Sequence, residues 1–307
     1  MTTALFTHAA CLAHDPGPGH PESPARLRAV LAALDDPAFA DLARHEAPRA
    51  SEAQIARVHP PALIRHLLGA VPQDGYARVD GDTILSPGSG EAALRAAGAL
   101  CAAVDAVMKG DVRNAFCAVR PPGHHAEPET AMGFCLFNNV AIGALHARAV
   151  HGLQRIAVVD FDVHHGNGTQ AAFEQDADLF FASSHQSPLY PGTGSVVERG
   201  VGNIFNAPLR PGSGSAEFRA AWSERLLPAL REFRPEFILI SAGFDAHADD
   251  PLANLNLTDD DYAWITREIM TIAEECCEGR VVSTLEGGYD LEALARSVSA
   301  HVGAFNI

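Results

Sequence analysis

Apolar residues recur along this chain in two rhythms. Short unbroken runs, "NAFCAV" (114–119), "RIAVVDF" (155–161), "DLFFAS" (178–183), "EFILISA" (236–242) and "RVVSTLE" (280–286), are rich in β-branched and aromatic residues. They lack the in–out alternation of a strand with one wet face, which predicts strands covered on both sides. Between them lie helical stretches. "SGEAALRAAGALCAAVDAVMKG" (89–110) is alanine-rich and ends on Lys109-Gly110, a C-terminal signal, and "NNVAIGALHARAVHG" (138–152) stops at Gly152. "TDDDYAWITREIMTIAEECCEG" (258–279) opens with Thr258 as N-cap, carries acids in its first turn and stops at Gly279. Strand alternating with helix predicts an α/β protein, a parallel sheet wrapped by helices. No repeat, low-complexity tract or linker interrupts the chain, so residues 1–307 are expected to form a single domain.

The segments after the strands are unusually polar. They read "RPPGHHAEPETAMGF", "DFDVHHGNG", "SHQSPLYPGTG", "GFDAHADDP" and "GGYD". In open parallel α/β sheets, ligands bind at the carboxyl ends of the strands. One such ending would be ordinary loop polarity, but five on one sheet edge predict an active site.

In an extended strand, side chains at i and i+2 share a face, so Asp162 and His164 should project together. A carboxylate beside an imidazole suits a divalent metal that accepts oxygen and nitrogen, with zinc the usual choice. Asp245, past another strand, could supply a third ligand and leave a position open for water and substrate, as in catalytic zinc sites. A lone D-x-H could instead cap the next helix. His165 is expected to face away and to pack or hydrogen-bond. His124 and His125, on a Gly- and Pro-rich loop, suggest general acid–base work because imidazole titrates near neutral pH. Asp160 and Asn167 could each fix the tautomer of one histidine. In "LEGGYD", Gly287 and Gly288 let backbone and ring approach a ligand closely, which places Gly287 against substrate. The Tyr289 hydroxyl could then donate to an oxyanion forming on a carbonyl.

Charge changes the picture modestly. Apolar residues make up 47% of the chain, enough for a sizeable core, and the net charge is −16. That argues against nucleic acid or anionic lipid as a partner and mildly favours a cationic one, although an acidic surface also simply keeps a protein soluble. Six cysteines, Cys11, Cys101, Cys117, Cys135, Cys276 and Cys277, show no C-x-x-C spacing and read as small buried hydrophobes in a reducing compartment. The start "MTTALFTHAACLAHD" has no basic region, and no segment approaches membrane-span length. The expectation is a soluble cytoplasmic protein without a membrane partner. Homo-oligomerisation is left open.

Taken together, "RPPGHHA", "GFCLFNNVAIGA", "VVDFDVHHGNGTQ", "YPGTG", "SAGFDAH" and "LEGGYD" resemble the zinc-dependent histone deacetylase family. They are closest in style to its class II-like bacterial members, the histone deacetylase-like amidohydrolases. The likeness runs from "GHPESPARL" (Gly19–Leu27) over nearly the whole chain. It implies the arginase/deacetylase fold, a central parallel sheet of about eight strands within helices, with the active site at the C-terminal strand ends. It implies hydrolysis of acyl-amides, typically on N6-acetyllysine. Residue by residue, it implies Asp162, His164 and Asp245 as zinc ligands and His125 as general base and acid, with His124 its electrostatic partner. It further implies Asp160 and Asn167 as orienting groups and Tyr289 as the phenol that polarises the carbonyl. Gly133, Phe134 and Tyr190 match the walls of a narrow tunnel, and Asp82 the rim aspartate that grips substrate backbone. Potassium near the zinc, on Asp160, Asp162, His164 and Ser183, is also implied. Asn167 departs from the aspartate of some relatives; an amide orients a histidine without adding charge and should lower the basicity of His125.

Three rivals remain. A binuclear manganese hydrolase of the arginase kind would need D-x-H-x-D and D-x-D, but Gly166 and His247 stand at the deciding positions. A deacetylase of small acetylated polyamines would place an acid at the pocket mouth, where this chain has Leu252 in "DDPLANL". A catalytically dead acyl-lysine-binding module would have no need of the full set of ligands, histidines and tyrosine.

Overall fold

Eight parallel strands form the central sheet, in the order β2-β1-β5-β10-β9-β6-β7-β8. The computed structural model describes residues 2–305. The strands are β1 (Thr3–Thr7), β2 (Ala43–Glu46), β5 (Asn114–Cys117), β6 (Ile156–Asp160), β7 (Leu179–Gln186), β8 (Ile204–Leu209), β9 (Phe237–Ala242) and β10 (Val281–Leu285); β3 (Ala77–Arg78) and β4 (Ile84–Leu85) pair antiparallel as a separate hairpin. Five of the eight are the apolar runs read from sequence, and every residue of β5, β6, β7, β9 and β10 is buried. Burial on both faces removes any need for alternation, which explains their continuous apolar pattern.

Helices flank the sheet in two packed groups. The first joins α5 (Ser89–Lys109) to α6 (Asn139–His151), both in contact with sheet strands. Small residues along α5, including Ala92, Ala93, Ala96, Ala97 and Ala103, are fully buried and let the helix sit close to its neighbours. The second group runs through α2 (Pro24–Leu34), α11 (Leu291–Gly303), α10 (Asp259–Cys277) and α9 (Leu227–Phe233). Shorter helices complete the chain: α1 (Ala10–Ala13), α3 (Glu52–Ile55), α4 (Pro61–Gly69), α7 (Asn167–Phe173) and α8 (Ser215–Ala221). As expected, α5 and α6 end on left-handed Gly110 and Gly152. Helix α10 ends one residue earlier than its sequence signal: Glu278 already adopts φ 57°, and Gly279 follows it out of the helix.

The order places β10 and β9 between β5 and β6, so the chain leaves the middle of the sheet after β5 and fills the gap only at its end. The loops after β5, β6, β7, β9 and β10, far apart in sequence, thereby share one sheet edge.

Candidate active site

The turn after β6 is built by its own aspartates. Asp160 Oδ1 accepts from the Asp162 amide at 3.0 Å, and Asp162 Oδ1 accepts from the His164 amide at 2.8 Å. These bonds correct one expectation: β6 ends at Asp160, and Asp162 and His164 sit in the bend beyond it. Turn geometry rather than strand alternation brings them together. From the loop after β9, Asp245 Oδ1 accepts from the Val163 amide at 2.9 Å, which locks the two loops in register.

These contacts gather Asp162, His164 and Asp245 so that one ligand atom from each lies within 4.8 Å of the others. His164 Nδ1 stands 3.2 Å from Asp162 Oδ1 and 3.1 Å from Asp245 Oδ2. Both carboxylates are only 1% exposed. Burial opposes charge on His164, yet hydrogen bonds and attraction from both carboxylates outweigh it and raise its pKa to about 10. Two buried acids around one imidazole make a site that demands positive charge, and their oxygen and nitrogen donors suit zinc. The backbone leaves room for it. A Cβ on Gly243 would meet Asp162 Oδ2 at 1.9 Å, and one on Gly287 would meet Asp245 Oδ2 at 2.1 Å. Gly287 therefore lies against the Asp162 and Asp245 carboxylates, donating its amide to Asp162 Oδ2 at 2.8 Å, and is not among the residues lining the neighbouring cavity.

The loop after β5 brings in the paired histidines, whose ring centroids are 4.1 Å apart. His124 donates from Nδ1 to Asp160 Oδ2 at 2.8 Å, and His125 donates from Nδ1 to Asn167 Oδ1 at 2.8 Å. Their surroundings drive them apart. Burial disfavours a charged His124, but Asp160, Asp162 and Glu286 outweigh it and hold its pKa well above the usual value. Burial, reinforced by charge on His124, pushes His125 well below it. The result is one cationic and one neutral imidazole side by side, an arrangement suited to acid–base chemistry.

A cavity of about 230 Å³ leads down to this floor, lined by Asp82, His125, Gly133, Phe134, His164, Leu189, Tyr190, Leu252 and Tyr289. Phe134 reaches the wall through a tight turn in which Met132 and Cys135 exchange backbone bonds and Gly133 and Phe134 have φ of 59° and 69°. Such a conformation costs a bulky residue roughly 1–2 kcal/mol, and the Thr83 hydroxyl, accepting from the Phe134 amide at 3.1 Å, helps hold it. Burial, aided by nearby carboxylates and opposed by Arg26, holds the Tyr289 pKa well above the usual phenol value, so its hydroxyl stays a donor. Arg26 lies 4.8 Å over the Tyr289 ring and donates to the backbone oxygens of Gly288 and Glu286. His165 faces away, accepting from the Thr193 hydroxyl at Nδ1 and donating from Nε2 to Gln170 Oε1. Ser183 pairs in register with Asp160, but its hydroxyl meets His185.

Sequence reasoning missed the supports beneath these groups. Asp250 accepts from the amides of Leu252, Tyr289 and Asp290, and Glu286 accepts from those of Gly123 and His124. Glu127 accepts from Asn167 Nδ2 at 2.8 Å. A carboxylate bonded to distant backbone amides leaves no local sequence signal. A second grouping, Asp105 with His146 and His151, also has ligand atoms within 4.8 Å of one another. There Arg57 donates to His146 Nδ1 at 2.9 Å, so the His146 proton lies on Nε2, towards Asp105. That proton and the nearby guanidinium both oppose a metal, and the grouping reads as a hydrogen-bonded pin between α5 and α6.

This geometry has close parallels. The histone deacetylase domain matches residues 20–305. The histone deacetylase-like amidohydrolase of Pseudomonas aeruginosa is 40% identical over 94% of this chain and 81% of its own length. The human polyamine deacetylase HDAC10 is 39% identical over 97% of this chain, which spans 47% of that protein. A crystal structure of the HDA15 HD domain superposes with a TM-score of 0.94 and 34% identity, covering 99% of this chain and 88% of that one. The eight-stranded sheet with its flanking helices is thus the arginase/deacetylase fold, and the chain belongs to the histone deacetylase family, whose deacetylase and amidohydrolase members act on amides.

Proposed function

We propose that this chain is a zinc-dependent amidohydrolase that removes acetyl or other acyl groups from N6-acyl-lysine-like amides. The observation that carries the reading is the convergence of His125, His164 and Tyr289 on one narrow cavity, with the Asp162–His164–Asp245 cluster at its floor. At about 230 Å³ the cavity falls below the about 300–1,000 Å³ of sites for drug-sized ligands, and so suits a linear alkyl chain ending in a small acyl group.

Asp162, His164 and Asp245 would hold zinc, which when bound supplies a Lewis acid for the carbonyl and lowers the pKa of the attacking water. His125 takes the water proton at Nε2, because Nδ1 already donates to Asn167. The Tyr289 hydroxyl donates to the oxygen that becomes anionic as the carbon turns tetrahedral. His125 then returns its proton to the amide nitrogen; the C–N bond breaks, and a carboxylate and a free amine leave. His124, held cationic by Asp160, stabilises the negative charge that develops beside it. Phe134 and Tyr190 would wall the alkyl chain, and Asp82, which lines the same cavity, would accept from substrate N–H groups. A structural potassium ion beside Asp160, Asp162, His164 and Ser183 remains part of the proposal. The six cysteines are all free, and a reducing, cytoplasmic setting stays part of the proposal.

A second reading, deacetylation of small acetylated polyamines, draws support from the human relative and from Asp82, a carboxyl group in the cavity lining that could meet an ammonium. Leu252 in the same lining offers no such charge and favours the lysine-like substrate. The deciding experiment is turnover of an acetyl-lysine peptide and of N-acetylputrescine by zinc-loaded protein, beside the His125→Ala and Tyr289→Phe variants. Peptide turnover lost in both variants supports the first reading. Turnover of acetylputrescine alone moves the function to polyamines, and no turnover of either substrate rejects both.

A further inference from the structure

The side-chain amide of Asn167 has two ends alike in shape and opposite in chemistry. Oδ1 stands 2.8 Å from His125 Nδ1. Nδ2 stands 2.8 Å from Glu127 Oε1, 3.4 Å from Met132 Sδ and 3.4 Å from the His125 backbone oxygen. All three neighbours of Nδ2 are acceptors. Turning the amide over would set Oδ1 against a carboxylate, a thioether and a carbonyl, with no donor among them. The thioether is a weak acceptor and the carbonyl is distant, so the orientation rests chiefly on Glu127. Glu127 is itself held in place: its amide donates to Thr130 O at 2.9 Å, and its carbonyl accepts from the Thr130 amide at 3.2 Å.

The orientation has a consequence one bond further on. With Oδ1 towards the ring, the only proton that can lie between Asn167 and His125 is the one on Nδ1. Nε2 then carries the lone pair, which is the form a general base needs. In the reversed amide, an Asn167 N–H would point at Nδ1, the ring proton would move to Nε2, and His125 would meet the attacking water as a donor. An aspartate at position 167 would accept from Nδ1 whichever way it turned. An asparagine needs a third group to choose its face.

We propose that Glu127 is a positioning residue that sets the tautomer of His125 through the Asn167 amide. This rests on the reading of His125 as the base. Glu127 is not among the residues that line the cavity, and its side chain bonds to the Asn167 amide. It acts by being an acceptor without a proton to donate.

The test exploits that logic. Glu127→Gln keeps the size of the side chain but can turn an N–H towards Asn167 Oδ1, so both amide orientations become available. Relative to wild type, kcat should fall about tenfold while KM and bound zinc stay unchanged. In an Asn167→Asp background there is no amide to orient, and Glu127 faces another carboxylate. Glu127→Gln should there leave kcat unchanged or raise it, because its N–H now has an acceptor. An equal loss in both backgrounds, or no loss in the native background, overturns the proposal. A second readout stands apart from turnover: the ¹⁵N shifts of the His125 ring should report Nδ1–H in the native chain and gain an Nε2–H population with Glu127→Gln. If neither substrate is turned over but the tautomer shifts as described, the substrate reading fails and the role of Glu127 stands. If the tautomer stays fixed in an active enzyme, the reverse holds.

Discussion

A methyl group is the smallest probe of how tightly the Asp162 and Asp245 carboxylates are held. Alanine at Gly287 would place Cβ 2.1 Å from Asp245 Oδ2 and 2.7 Å from Asp162 Oδ2, closer than any real contact. The carboxylates must move, because neither is the free end of a flexible chain: Asp245 holds the Val163 amide and Asp162 the His164 amide. Gly287→Ala should therefore weaken zinc binding at least about tenfold with the fold intact, measured by competition with a chelator beside a thermal melt. Tyr289→Phe probes the other side of the chemistry. It removes one hydroxyl from the cavity wall and should lower kcat roughly 100- to 1,000-fold while bound zinc stays at the native level. At this scale the sequence was informative where chemistry sat in one short stretch, as in Asp160, Asp162, His164 and Asn167. It was silent on Glu127 and Glu286, whose side-chain partners lie far away in sequence, and on Asp250, whose bonds to Tyr289 and Asp290 cross about 40 residues.

Between elements, one carboxylate ties the loop after β9 to the loop after β10. Asp250 Oδ1 accepts from the Leu252 amide at 3.0 Å, and Oδ2 from the Tyr289 amide at 2.8 Å. Two residues of the cavity lining, Leu252 and Tyr289, are therefore held by the same carboxylate. Asp250→Ala should leave the partly buried amides of Leu252, Tyr289 and Asp290 unpaired, at a cost of about 1 kcal/mol in stability. It should also misplace Tyr289, lowering kcat by up to about 100-fold; melting and turnover on one preparation test both. Legibility at this scale followed burial. The fully covered strands β5, β6, β7, β9 and β10 announced themselves as apolar runs, whereas β1, β2 and β8 did not. The β2 segment "ARHE" is mostly exposed and gains its strand character only by pairing with β1. The β8 segment "IFNAPL" carries Asn206 and Pro208 on the sheet edge, where a missing N–H is tolerated.

Across the whole molecule, several histidines are buried away from the active site in the neutral form. Burial lowers the pKa of His14 to about 4 despite nearby Glu22, that of His59 to about 4, and that of His301 to about 3. A folded pKa below the unfolded value of about 6.5 means that the unfolded chain binds the proton first as pH falls. Their contribution is fully present above pH 6.5 and is lost progressively towards pH 3–4, at roughly 1.4 kcal/mol per pH unit for each histidine. Urea midpoints should therefore fall between pH 7 and pH 5, before most carboxylates titrate; a flat profile over that window would contradict the assignment. Metal removal acts on the same scale. A chelator should lower Tm, and added zinc should raise it with concentration, because only the folded chain assembles Asp162, His164 and Asp245.

By itself the sequence determined the alternation of strand and helix, the polar chemistry after each central strand and the family motifs, because each is written within a few adjacent residues. It also named the residues that line the cavity apart from Leu189, and the Asp162, His164 and Asp245 cluster beside it. Only the tertiary structure decided how those stretches meet. Strand order brings five distant loops to one edge, a bend rather than strand pleating joins Asp162 to His164, and Gly287 packs against the Asp162 and Asp245 carboxylates, outside the cavity lining. The physical reason is the range of the forces involved. Periodicity, capping and turn chemistry act over a few residues of chain, whereas the charge on an imidazole, the face of an amide and the room beside a carboxylate are set by neighbours that only the packed fold supplies.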